Sequence, residues 1–124
     1  KYEDEGMATL EDGLYVLEAS LQDPAFVDKM ARFVKASMKG WEWAKENPGD
    51  AALIVLDNDA TGAQTEKHQK RMMEEIAKLL GDGPALDEAS YQQTVDTLLQ
   101  AGSDPVITKK PEGAFTHAVT DKLK

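Results

Sequence analysis

Chemistry at neutral pH would fall first to the two histidines, His68 and His117, and to the 23 Asp and Glu residues of this 124-residue chain. Neither histidine stands in a zinc-ligand spacing with nearby carboxylates. The isolated serines have no chain-local base, and no Gly-x-Ser-x-Gly turn is present. Paired carboxylates do general acid–base work only once tertiary structure opposes them, and with 23 acids no particular pair stands out. The run Asp57-Asn58-Asp59-Ala60-Thr61-Gly62 supplies oxygen donors. A calcium loop needs alternating ligands and a later bidentate acid, and Glu66 is not at that spacing. It reads as an ordinary turn. There is no cysteine, so thiolate catalysis, disulfides and cysteine metal sites are excluded. No phosphate loop or dinucleotide fingerprint is present, and no cofactor is expected. The residues point away from an enzyme.

Charge narrows the partners. A formal net charge of −9 without a concentrated basic face disfavours nucleic acid and an anionic membrane surface. Hydrophobic residues at 41% support a modest core despite 30% charged residues, which sets the chain apart from disordered sequences. No apolar run reaches the length of a membrane span. The start, KYEDEGMATLEDG, has no signal-peptide pattern and reads as a cut through a longer polypeptide.

The element that must position everything else runs from Asp23 to Asn47. Phe26, Met30, Phe33/Val34, Ser37/Met38, Trp41 and Ala44/Lys45 recur at three- and four-residue steps. That spacing predicts one apolar stripe on a helix of about six turns. Asp23 caps its start, Pro24 suits its first turn, and Asn47-Pro48 ends it. Trp41 fits the stripe, whereas Trp43 falls at its margin. Gly40 costs about 1 kcal/mol relative to alanine in a helix; close approach by another element, or room beside the tryptophans, would explain it. Arg32 is placed to pair with Asp28.

Before this helix, Gly13-Leu14-Tyr15-Val16-Leu17-Glu18 is the best strand candidate. A single strand leaves its backbone groups unsatisfied, so it implies a sheet that these residues do not provide. After the helix, Pro48 opens a second one through Ala51-Ala52-Leu53-Ile54-Val55-Leu56, although six apolar residues alone would also suit a buried strand. A third helix is expected over 64–80, with His68, Met72, Met73, Ile76, Ala77, Leu79 and Leu80 on its apolar side. Lys70–Glu74, Arg71–Glu75 and Glu74–Lys78 would pair on the other side. Gly81-Asp82-Gly83-Pro84 terminates it. A fourth helix follows Asp87, with Asp87 or Ser90 as cap, Tyr91, Val95, Leu98 and Leu99 buried, and Gly102 as its stop. Val106-Ile107-Thr108 forms a short extended run before Lys109-Lys110-Pro111, and a final short helix spans 113–122. No repeat or low-complexity linker divides the chain.

The ordered combination DGLYVLEASLQDPAFVDKMARFVKASMKGWEWAKENPGDAALIVL resembles the C-terminal part of ABC-transporter substrate-binding proteins. It is nearest the subgroup that binds thiamine precursors, nitrate, sulfonates and taurine. The matching positions are Gly13 to Leu17, Asp23-Pro24, Phe33, Ala36, Gly40-Trp41, Asn47-Pro48 and Ala51-Ala52. Tyr91 lies near a commonly aromatic position of that family. GAFTHAVTDKL is similar to its terminal helix, with His117 where asparagine is usual and Val119 where a large aromatic or leucine is usual.

The resemblance implies a mostly α fragment of four to five helices and one short strand, the C-terminal part of a bilobed α/β receptor. Residues 12–18 would be the crossover strand and residues 24–123 a helical scaffold on the outside of the first lobe. It further implies a periplasmic or extracytoplasmic solute receptor, held at the membrane by its transporter or a lipid anchor. The receptor would capture a small molecule and deliver it to an ABC permease, with no chemical step. Most ligand contacts would then come from the remainder of the same polypeptide, with Asp12 and Tyr15 as weak cleft-side candidates. Pro24, Phe33, Gly40, Trp41, Pro48 and Tyr91 would be structural. The alternative is an autonomous helical protein-interaction module without catalytic activity. Pairing of residues 13–18 in a sheet favours the receptor, and a closed helical bundle favours the module.

Overall fold

Prolines at two helix starts set the frame. Pro24 opens α1 (Pro24–Glu46) and Pro48 opens α2 (Pro48–Asp57), each at a position where the missing amide proton has no partner to lose. The computed structural model describes residues 5–6, 9–81, 83–100 and 102–124. Two further helices follow, α3 (Glu66–Ala77) and α4 (Glu88–Gln100). Short 3-10 turns cover Glu18–Gln22 and Thr120–Leu123. Among the described residues the regular structure is all helical, with no strand. Two compact units result, Lys1–Met30 with Ala85–Lys124, and Ala31–Pro84, a division that composition does not announce.

In the Ala31–Pro84 unit, α2 packs on α3. Ala51 and Ala52 of α2 and Met73 of α3 are buried together, with Ala44 of α1 against them. Two small side chains in succession let the helices approach, and the flexible methionine fills what remains. The run from Ala51 to Leu56 is therefore helix, as its proline-started turn predicts. Its outer face is open, because Leu53, Ile54 and Val55 remain 44–52% exposed. At the α1–α2 junction Asn47 does not cap α2 with its side chain. It caps α1 instead, donating from its backbone N (2.8 Å) and Nδ2 (2.9 Å) to the Trp43 carbonyl. Thr65 starts α3, its Oγ1 accepting from the His68 amide at 3.3 Å. The helix is shorter than its periodicity predicts, since Lys78 and Leu79 already bond three residues back.

The buried stripe of α1 is rotated from the expected one. Val34 is buried as expected, and Val27 and Ala31 are buried outside the expected stripe, whereas Phe33 is 52% and Trp41 43% exposed. Spacing identifies a face but not which edge of it finds a partner, and here the small residues do. Trp43, expected at the margin, is as open as Trp41 (42%). Gly40 faces open space, with nothing within 4 Å of a Cβ built there, so close approach does not explain it. Asp28 pairs with Lys122 at 3.1 Å rather than with Arg32, a partner too distant in sequence to be read from helix spacing.

In the other unit Asp87 caps α4. Its Oδ2 accepts from the Ser90 amide (2.7 Å) and Ser90 Oγ (2.8 Å). Val95 is buried, with Tyr91, Leu98 and Leu99 half-buried on the expected face. Gly102 ends the segment at φ +64°, a left-handed conformation that costs glycine little. The expected run at 106–108 is bent, and only the 3-10 turn Thr120–Leu123 forms where a last helix is expected. There Thr116 Oγ1 accepts from the Ala118 amide (3.1 Å) and Thr120 Oγ1 donates to the His117 carbonyl (3.2 Å). Such local bonds compete with a helical ladder.

Gly13–Leu17 is the main departure from the sequence reading. The segment has no ladder partner among the described residues. Leu17 has extended torsions, φ −68° and ψ 134°, but the expected strand is not formed because no neighbouring strand satisfies it.

Candidate functional site

Asp12 and Tyr15, the cleft-side candidates, both lie on the irregular stretch that precedes the Glu18–Gln22 turn. Asp12 is exposed, and Tyr15 is the most open large hydrophobic side chain described, at 84%. Positions three apart take opposite faces of regularly extended backbone, so the segment by itself does not aim both side chains at one small molecule. Gly13 gives Tyr15 its place: the phenol ring lies 3.3 Å from where a Cβ on Gly13 would sit. Upstream the Leu10 amide donates to Thr94 Oγ1 on α4 at 2.9 Å. Downstream the Ser20 amide donates to the Leu17 carbonyl at 3.0 Å. The apolar span is held at both ends and open between them.

The structural positions divide. Pro24 and Pro48 begin helices as expected, and Tyr91 is half-buried. Its ring meets Phe115 at a centroid distance of 4.6 Å, and Phe115 meets His117 at 5.4 Å, both tilted by 54°. His117 Nε2 lies 2.9 Å from the Leu86 carbonyl oxygen. That oxygen only accepts, so Nε2 carries the proton. The ring thus ties the C-terminal segment to the approach of α4, an anchoring role. Sequence reasoning gave His117 no such role. Its aromatic neighbour Phe115 was the only local signal, because Leu86 lies 31 residues away. His68, expected on the apolar side of α3, is exposed.

The carboxylates with perturbed acidity are occupied locally. Asp59 is held below the usual carboxylate range by the Thr61 hydroxyl first, then by backbone amides. Its Oδ1 accepts from Thr61 Oγ1 (2.6 Å) and N (2.9 Å), and Oδ2 from the Gln64 amide (2.9 Å). These bonds make Asp59 the acceptor that closes the turn after α2, with both its oxygens engaged. Asp87 is lowered chiefly by the Ser90 amide, Glu75 by Lys78, and Asp121 by Lys124. On α3 the expected Arg71–Glu75 pair forms at 2.6 Å, while Lys70 turns to Glu66 and Lys78 to Glu75. Such exposed pairs contribute little.

No three His, Cys, Asp or Glu side chains converge on a metal position among the described residues. Two concavities are open troughs, one along Glu66–Glu74 of α3 and one along Val106–Glu112. No helix described is long and apolar enough to cross a membrane. Among the described residues the arrangement offers apolar surface at Gly13–Leu17 and on α2. Comparison with protein-family models, with curated proteins and with solved structures gives no match in any of the three.

Proposed function

We propose that this chain is the C-terminal helical part of an extracytoplasmic solute-binding receptor that hands a small molecule to an ABC importer. The observation that carries the reading is Gly13–Leu17: an apolar span with extended backbone at its end, exposed side chains and no ladder partner among the described residues. A sheet supplied by the remainder of the same polypeptide would satisfy it. The resemblance along residues 12–123 names the kind of receptor. The helices buttress the first lobe from outside, and most ligand contacts come from the other parts of the protein. Function is binding and lobe closure, with interlobe contacts favouring the closed state and no chemical step. The test is calorimetric titration with thiamine precursors, nitrate, sulfonates and taurine, using both the 124-residue chain and the longer polypeptide from its encoding sequence. The longer protein should bind one class, and the chain alone none. Sub-micromolar binding by the chain alone would overturn the reading.

One observation favours the second reading, an autonomous interaction module without catalytic activity. Six successive apolar residues on a helix are normally buried, yet the Ala51–Leu56 run of α2 leaves Leu53, Ile54 and Val55 open. An encoding sequence without an upstream α/β region would favour that module.

A further inference from the structure

Glu11 and Asp12 precede the apolar span and Glu18 follows it, with no charge between. We propose that Gly13–Leu17 is a strand-docking edge whose partner is an extended apolar segment bracketed by lysine or arginine. The inference rests on the receptor reading only in treating this span as a strand awaiting its ladder. Strand addition gains affinity from main-chain bonds and specificity from the side chains beside them.

Three features meet here. The amides of Gly13 to Val16 donate no backbone hydrogen bond among the described residues. The tether of Leu10 to Thr94 and the turn at Leu17–Ser20 hold the span at both ends, which lowers the cost of ordering it on a partner. Tyr15 (84% exposed) and Leu17 (77%) leave an apolar strip open, with the Tyr15 ring lying along Gly13.

The acids choose the partner. A second copy paired antiparallel about Tyr15 would set Asp12 opposite Glu18 at each end, and like charges directly opposed destabilise a ladder. A strand carrying cations at both ends converts the same positions into attractive pairs. Three such pairs amount to about a tenfold preference over the same strand with acidic ends, shrinking as salt rises.

The experiment uses the whole chain and two synthetic peptides of alternating valine and threonine, one ending in Lys-Lys on both sides and one in Glu-Glu. Amide hydrogen exchange reads protection of Gly13–Leu17, and fluorescence anisotropy reads affinity. The lysine-ended peptide should protect those amides and bind about tenfold more tightly. Reversing Asp12 and Glu18 to lysine should invert the preference. Tyr15→Pro and Val16→Pro remove one amide each, and at least one should abolish protection. Equal protection by both peptides would overturn the charge rule while leaving the strand reading intact. Protection by neither would remove both, and protection that grows with chain concentration alone would identify a second copy as the occupant instead.

Discussion

Replacing Met73 with alanine tests whether the α2–α3 contact is a packed core. Met73 is 6% exposed and packs with Ala51 and Ala52. The substitution removes three side-chain heavy atoms, about 2.4 kcal/mol at ~0.8 kcal/mol for each buried group. A cavity term raises the expected range to about 2–5 kcal/mol, while alanine's helix propensity returns a few tenths. A net loss of about 2–4 kcal/mol is a large share of the ~5–15 kcal/mol that holds an ordinary domain folded. Met72 supplies the internal control, since it sits one residue earlier on α3 and is 41% exposed. Met72→Ala should cost less than about 1 kcal/mol. Urea titrations followed by Trp41/Trp43 fluorescence and by far-ultraviolet circular dichroism measure both variants. Equal losses, or a Met73→Ala loss below about 1 kcal/mol, would refute the packing argument.

Gly40→Ala should raise stability by about 0.4–1 kcal/mol, because the new methyl meets no atom within 4 Å and alanine costs the helix less. A lower thermal midpoint would mean that another surface packs at Gly40. Thr65→Ala should cost about 0.5–2 kcal/mol by removing the bond to the His68 amide, whereas Thr65→Ser should recover most of it; urea midpoints of the two variants decide. Asp59, Asp87, Asp121 and Glu75 are all more acidic in the fold than their ordinary values of 3.8 and 4.5. Their contribution is therefore complete above those values and disappears as pH falls through the lower folded ones. Helical signal should hold on acidification to the ordinary carboxylate range and decline below it, so a melting temperature that rises on further acidification would contradict the assignment.

Local physics made much of the helical frame legible. Proline at a first turn marked Pro24 and Pro48, and an aspartate ahead of a serine marked the start of α4. Gly102 marked its stop. What escaped was partnership. Periodicity gave α1 an apolar side that includes Val34, but the rotation that buries Val27 and Ala31 rather than Phe33 and Trp41 depends on neighbours that no window of sequence contains. The Asp28–Lys122 pair and the His117–Leu86 bond join distant residues for the same reason. Strand propensity at Gly13–Leu17 was legible as composition, but a ladder needs two participants. For the candidate site, the apolar composition of the span could be read in advance, whereas its exposure and its two flanking anchors could not.

Asn47 takes part in two ladders at once: its amide closes the last turn of α1 on Trp43, and its carbonyl accepts the Ala51 amide of α2 at 3.0 Å. Asn47 is the single residue between Glu46 and Pro48, so the angle between α1 and α2 rests on one pair of torsions, φ −127° and ψ 57°, and a substitution that shifts them would alter both helix ends together.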